Sequence, residues 1–310
     1  MLMTRKRRGR AIHGWINLDK PPGISSSAAV GRVKYLLQAQ KAGHGGTLDP
    51  LATGILPIAL GEATKTVNYA LQGPKAYRFI VQWGTATKTD DREGEVSETS
   101  DLRPTDREIR SALPGFTGEI EQVPPAFSAI KVDGKRAYAL AREDRPVDLQ
   151  ARRVRVTALS LVRCIDDDQA EFEMSCSKGT YVRALGRDLA RRLGTVGHIA
   201  ALRRTAVGPF SESGAISLDS LASLGHIAPD SEPILPIETV LDDIPALALD
   251  EKEAQKLKHG LGVAILPVLS RTSDIDIQQG DIVSVMFGGR MIALAEIRGG
   301  EIRPVRVLNL

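Results

Sequence analysis

The stretch Gly43-His44-Gly45-Gly46-Thr47-Leu48-Asp49-Pro50-Leu51-Ala52-Thr53-Gly54 decides how this chain is read. Four glycines in twelve residues make a backbone that can approach a ligand closely. One carboxylate, Asp49, sits among them, and Pro50 restricts it to extended φ/ψ. A fixed acid on an ordered loop is what nucleophilic or general-base chemistry requires. Asp-Pro and Gly-Gly are also ordinary turn dipeptides, so composition alone leaves a surface turn open beside the catalytic reading. The loop does not close on Gly-Lys-Ser/Thr, which excludes a phosphate-cradling P-loop. Its glycine spacing excludes a dinucleotide fingerprint as well. Asp49 itself is left as the candidate chemistry.

Outward from the loop, hydrophobic periodicity predicts the neighbouring elements. Ile12 to Leu18 reads as a strand ending at Lys20-Pro21-Pro22-Gly23. Ser25 to Ser27 caps a helix predicted to run to about Gln40, with Val30, Val33 and Leu37 on one face. Ile55 to Leu60 reads as a buried strand and Glu62 to Leu71 as a helix. Tyr77 to Trp83 alternates with large side chains at 77, 79, 81 and 83. Lys88 to Gly94 is a polar loop, and Thr105 with Glu108 forms a capping box. Arg152 to Val162 and Ala170 to Cys176 alternate as strands. Val182, Leu185, Leu189 and Leu193 make a helical stripe, and Ile199 to Val207 returns to strand. Gly225 to Pro245 is rich in proline and reads as a connection, with Ile237 to Leu241 helical. Beyond it come a short helix, Glu251 to Lys258, and strands at 281–287, 290–297 and 302–308, with Gly288-Gly289 as a hairpin signal. Strands alternating with helices over the first 220 residues predict an α+β sheet domain. The last part predicts a small β-barrel-like appendage.

Composition narrows the function classes. A net charge of only +3 hides an uneven distribution. Arg5, Lys6, Arg7, Arg8 and Arg10 stand at the N-terminus with no acid among them. Between Lys178 and Arg204 seven basic residues face one acid, Asp188. Clustered basic charge points to a polyanionic partner, and solvated helix faces are the plainer alternative. Cys164 and Cys176 form no CxxC or Cys/His cluster, so neither a zinc site nor a disulfide scaffold is predicted. No 18-residue apolar run occurs, and no apolar segment follows the basic N-terminus. A cytoplasmic protein with no membrane partner is expected.

A second constellation is Ser177-Lys178-Gly179-Thr180-Tyr181-Val182-Arg183, at a strand-to-helix junction where sites commonly form. Arg183 is placed to pair with a carboxylate such as Asp49 and hold it ionised, or to lie exposed on a first helical turn. Tyr77 is a core strand residue or a stacking platform for a base. His44 is a candidate proton shuttle or phosphate contact. Lys131, Lys135, Arg136, Arg142 and Arg145 line a polar stretch after Val123-Pro124-Pro125, as an anion clamp or a solvated loop.

Taken together, these segments resemble the TruB family of tRNA pseudouridine synthases. The shared blocks are Asn17 through Gly23, Gly43 through Lys65, Lys75-Ala76-Tyr77, Thr89-Asp90-Asp91, Pro124-Pro125 through Lys131, Lys178 through Arg183, and Leu202-Arg203-Arg204. The resemblance runs from about residue 12 to 210. It implies a pseudouridine synthase fold, a mixed and largely antiparallel sheet flanked by helices, with a PUA-like RNA-binding barrel behind it. The implied organisation is a basic arm at 1–11, a catalytic domain at 12–240 with an insertion at about 124–152, and the PUA-like domain at 245–310.

The implied activity is isomerisation of uridine to pseudouridine at position 55 in the T-loop of tRNA. The family's catalytic aspartate falls on Asp49 and its base-stacking tyrosine on Tyr77. Its second tyrosine and its aspartate-pairing arginine fall on Tyr181 and Arg183. Its pocket leucine falls on Leu202 and its loop histidine on His44. Lys20 and Asp91 match positions near the pocket, and Lys131 lies in a shared block. Gly45 stands where several members carry Thr. No cofactor or metal is expected, because the isomerisation has no net redox change. The partner expected is the tRNA T-arm, met by a monomer with no obligatory protein partner. The carboxylate can attack C1′, attack the pyrimidine C6, or abstract a sugar proton, and the residues do not choose among these. Two other readings remain at this level: an RNA-binding module, and the guide-RNA-dependent relatives that work inside a multi-protein particle.

Overall fold

The computed structural model describes residues 9–128, 131–132, 135–136, 138, 149–225, 228, 231–272 and 276–310. Ten of the described strands join one mixed sheet. Its order is Ile216–Ser217, Gly14–Lys20, Thr53–Leu60, Gly197–Val207, Lys75–Trp83, Gln169–Cys176, Arg152–Cys164 and Gly118–Gln122. Ala42–His44 adds to Thr53–Leu60, and Phe210–Ser211 to Gly197–Val207. Most pairings are antiparallel, but Thr53–Leu60 runs parallel to Gly197–Val207 at the centre. That parallel contact sets three residues in one line across the sheet: Gly54 opposite Arg204, and Arg204 opposite Tyr77. The loop carrying Asp49 enters the sheet at the first of them.

The alternation read in Tyr77–Trp83 is a real pleat. Tyr77, Phe79, Val81 and Trp83 are buried on one face, and Arg78 and Gln82 lie on the other. The buried face packs under Ala29 and Val33 of helix Ser26–Leu36 and Val182, Leu185 and Leu189 of helix Val182–Arg192. The opposite face meets the C-terminal unit: Trp15, Ile55, Ala59 and Phe210 form one apolar cluster with Met291, Leu294 and Leu308. Polar contacts cross the same seam, with the Lys65 ammonium on the Val307 carbonyl at 2.6 Å and the Asn309 amide on Glu62 at 2.9 Å.

Several predicted boundaries move, each for a local reason. The first helix ends at Leu36, not near Gln40. Gln38 adopts φ 52°, and the Gln38 and Ala39 amides bond back to the Tyr35 and Lys34 carbonyls, a Schellman closure. The usual glycine signal is missing there, so the sequence reading overruns. The predicted 62–71 helix splits into a 3-10 turn, Gly61–Lys65, and a short helix, Val67–Gln72. The Thr64 and Thr66 hydroxyls bond the carbonyls three residues back, which holds the tighter turn. Within the 225–245 connection, the described residues from 231 on pack against the main sheet: Leu235 pairs with Trp15 through both backbone groups, and Ile237 and Leu241 are buried.

The capping box at Thr105 and Glu108 is present on helix Asp106–Ala112. Thr105→Ala is expected to destabilise the fold by about 1 kcal/mol in urea denaturation, with no change in activity. The C-terminal strands run in the order Ala246–Ala248, Ile282–Phe287, Arg290–Arg298, Glu301–Val307, Val263–Ala264. No pairing joins the two end strands among the described residues, so this sheet is open. Cys176 is buried in the main sheet, as its strand phase predicts.

Candidate active site

Asp49 sits where three local devices converge on its loop. The Ser26 hydroxyl accepts the Leu48 amide at 2.7 Å and donates to the Leu48 carbonyl at 2.9 Å, which pins the preceding residue to the N-terminus of a helix. The Gly23 amide bonds the Pro50 carbonyl at 2.9 Å. The Lys20 ammonium, fully buried, spends its protons on the carbonyls of Pro21, Ile24 and Pro50 at 2.9, 2.8 and 3.2 Å. Burial pushes the Lys20 amine down to about 8, against the pull of the nearby Asp49. Lys20 therefore lies behind the loop and holds it, and does not line the cleft.

The cleft in front of Asp49 has a volume of ≈ 330 Å3. It is lined by Gly46–Asp49, Tyr77, Tyr181, Arg183, Leu202 and Arg204, with Lys75 and Ser128 at its edges. Such a space suits one nucleoside-sized group rather than a helix. Arg183 crosses the floor. Its Nε lies 2.9 Å from Asp49 Oδ2 and 3.6 Å from Asp91 Oδ2. Its Nη1 and Nη2 donate to the carbonyls of Thr89 and Phe127, each at 2.9 Å. The side chain is 5% exposed, so it works on Asp49 and not on solvent. Asp91 lies behind Arg183, holding the Thr89 hydroxyl and the Glu93 amide.

The charge on Asp49 is a balance. Burial pushes its carboxyl above the ordinary 3.8, and Asp91 adds to this, while Arg183 and Lys20 pull it back. Tyr181 is positioned by Gln122, whose amide accepts the Tyr181 backbone N–H at 2.8 Å and donates to its carbonyl at 3.1 Å. Burial raises the phenols of both Tyr181 and Tyr77. Of the residues singled out in the sequence, Asp49, Tyr77, Tyr181, Arg183 and Leu202 meet at this cleft, with Asp91 and Lys20 directly behind it.

His44 is not on an open loop. It ends the short strand Ala42–His44, opposite Ile58, and does not line the cleft. Burial, with Arg204 second, lowers its pKa, and its Nδ1 is buried without a partner. Lys131 opens a short strand, Lys131–Val132; its side chain lies outside the described residues, as do those of Lys135, Arg136, Arg142 and Arg145.

The basic cluster from Lys178 to Arg204 is not one RNA-facing surface. Arg183 and Arg204 are buried, Arg187 pairs with Asp90 and Asp188, and Arg203 pairs with Asp19 and Glu212. Helix and strand phases scatter these side chains over both faces of the sheet, which a count along the sequence does not register. Lys178, Arg152, Arg153 and Arg155 are exposed on the elements that flank Tyr181, and the charge of Arg152 acts on its phenol.

Residues 34–182 match the TruB family pseudouridylate synthase N-terminal domain, and residues 183–242 match the tRNA pseudouridylate synthase B C-terminal domain. A protein of Rhodospirillum rubrum named tRNA pseudouridine synthase B is 53% identical over 308 residues, covering 99% of this chain and 100% of its own. One of the same name in Caulobacter vibrioides is 53% identical over 309 residues, with coverage of 99% and 100%. Among solved structures, a Cbf5-Nop10-Gar1 complex superposes with a TM-score of 0.72 at 27% identity, over 96% of this chain and 85% of that one. No helix among the described residues is long and apolar enough to cross a membrane. On its sequence along its whole length, the chain belongs to the TruB family of pseudouridylate synthases.

Proposed function

We propose that this chain isomerises uridine to pseudouridine at position 55 in the T-loop of tRNA, with Asp49 as the catalytic carboxylate. The observation that carries this is the ion pair between Asp49 and the buried Arg183 at the floor of a nucleoside-sized cleft. The target base is stacked in the folded T-loop and must be extruded, at a cost of a few kcal/mol. Tyr77 stacks on the extruded base, a contact worth about 1–3 kcal/mol. Leu202 and Tyr181 close the cleft around it. The N1–C1′ bond breaks, the uracil turns, and C5 joins C1′. The C5 proton is lost as N1 gains one, so atoms and charge balance without an oxidant. Arg183 keeps Asp49 ionised and fixes its rotamer throughout.

In this reading residues 1–11 are a basic arm, 12–240 the catalytic domain with an insertion at about 124–152, and 245–310 a PUA-like RNA-binding unit. The protein acts alone, as a monomer in the cytoplasm, on the T-arm itself. The relatives 53% identical over nearly the full chain, whose name specifies tRNA, favour this over the particle-bound type. Tritium release from a uracil C5-labelled T-arm hairpin tests it. Purified protein is expected to release label from position 55 without added protein or guide RNA. Inactivity on both the hairpin and whole tRNA would sink the assignment.

Affinity for tRNA is expected to fall with salt, because phosphate contacts release counterions. The exposed Arg152, Arg153, Arg155 and Lys178 give a slope of log K against log salt of about −3, shallower than the full basic cluster would give. Filter binding across 50 to 200 mM salt, about the range over which such slopes are read, checks it. A flat response would remove these four residues from the interface.

A further inference from the structure

Arg204 is the largest charged group in the core, 1% exposed, yet no carboxylate pairs with it among the described residues. Its guanidinium is consumed by the walls of the cleft. Nε donates to the Ile55 carbonyl at 2.8 Å, Nη2 to the Gly46 carbonyl at 3.0 Å, and Nη1 to the Thr47 carbonyl at 3.4 Å. Tyr77 stands directly opposite it on the neighbouring strand. The planar fork holds Gly46 and Thr47 of the loop and Ile55 of the next strand at fixed spacing, which a compact ammonium does not.

The glycines of the loop fit the same residue. At Gly54, φ is +98°, and a Cβ would stand 2.2 Å from the Arg204 carbonyl oxygen. At Gly46, φ is +115°, and a Cβ would stand 3.4 Å from Arg204 Nη1. Gly54 therefore lets the end of the loop meet the Arg204 backbone, and Gly46 carries the loop past the guanidinium in a left-handed turn.

We propose that Arg204 is a positioning residue for the isomerisation: it clamps the Gly46–Asp49 loop to Tyr77 and so sets the gap in which the uracil lies between acid and ring. This rests on the roles given above to Asp49 and Tyr77. A buried cation solvated by carbonyls is costly to retain, and an apolar residue of similar volume would pack in its place. What the cation supplies is a common origin for two groups that must act on one base, and a displacement of about 1 Å in such a pair costs on the order of 100-fold in rate.

The test is Arg204→Met, with single-turnover rate, tRNA Kd and amide hydrogen exchange of the free protein measured together. The expected result is a rate about 100-fold lower with Kd changed less than about threefold. Exchange is expected to rise in 43–54, where the Gly45, Leu48 and Ala52 amides are bonded, and to stay unchanged in the strand Gln169–Cys176. Unaltered rate and loop protection in folded Arg204→Met would overturn the proposal, and so would a loss of binding with the saturated rate intact. If Arg204→Met does not fold, Arg204→Lys keeps the charge but not the fork that reaches the Ile55, Gly46 and Thr47 carbonyls together. The same signature is expected there at smaller amplitude, and wild-type rate and protection would overturn the proposal equally. The exchange readout needs no catalysis, so an inactive wild-type protein would refute the function proposed above without being mistaken for failure of the clamp.

Discussion

Asp49→Asn is expected to fold, to bind tRNA with wild-type affinity, and to release no tritium from C5-labelled substrate above about one-thousandth of the wild-type rate, a loss of roughly 4 kcal/mol in transition-state stabilisation. The amide keeps the size of the carboxylate, and its oxygen still accepts from Arg183 Nε, so the floor of the cleft is preserved. What it lacks is negative charge and an electron pair able to form or release a bond at the sugar or the base. The wild-type rate should carry a matching acid limb. Activity requires the ionised carboxylate, and burial lifts its pKa above 3.8, so the rate falls as pH drops through a point higher than that of a free aspartate. Retained turnover in Asp49→Asn, or no acid limb at all, would remove Asp49 from the chemistry.

Much of this site was legible because its residues lie in blocks with local signals. The Asp49 loop is marked by Pro50 and its glycines, Tyr77 by strand alternation, and Arg183 by a strand-to-helix junction that sets a first-turn side chain at the rim of the sheet. The pairing of Arg183 with Asp49 joins residues 134 positions apart and is present at 2.9 Å. What stayed hidden are contacts with no local signature. Ser26 reads as a helix-cap residue, and only the fold shows its hydroxyl holding Leu48. Gln122 has no motif at all. Arg204 did carry a usable signal: it shares strand phase with Leu202, so a face that lines the pocket at 202 lines it at 204. Counted only as part of the Lys178–Arg204 basic cluster, its strand phase carries no weight. The same error spread over the whole Lys178–Arg204 cluster, because charge counted along a chain ignores which face each residue takes. Gly54 shows the converse. The sequence marks it as a residue that permits close backbone approach, but what it approaches, the Arg204 carbonyl, stands 150 residues away.

Arg183→Met is the second substitution expected to be severe, and it separates two contributions that Asp49→Asn removes together. Loss of the guanidinium leaves Asp49 facing Asp91 across a buried gap, with the Thr89 and Phe127 carbonyls unsatisfied. Each change acts on Asp49 in the same direction. Burial and Asp91 already push its carboxyl up, and Arg183 is the chief force opposing them. Removing an opposite charge at this distance raises the carboxyl further. The acid limb of the rate should therefore move up, so that the variant is slowest at low pH and recovers part of its loss as the pH rises. The part not recovered is orientation: an acid without its bonded partner samples several rotamers, and the plateau rate is expected to stay about 100-fold below wild type. Arg183→Lys should restore the limb toward its wild-type position but not the plateau, since a compact ammonium does not reproduce the fixed, planar spacing at which the guanidinium meets Asp49 and the Thr89 and Phe127 carbonyls. Binding of tRNA should change little in either variant, because the side chain is buried beneath the cleft and reaches no phosphate. If Arg183→Met instead lost affinity while keeping its saturated rate and its pH profile, the arginine would be a substrate contact, and the charge balance on Asp49 would have to be set by Lys20 alone.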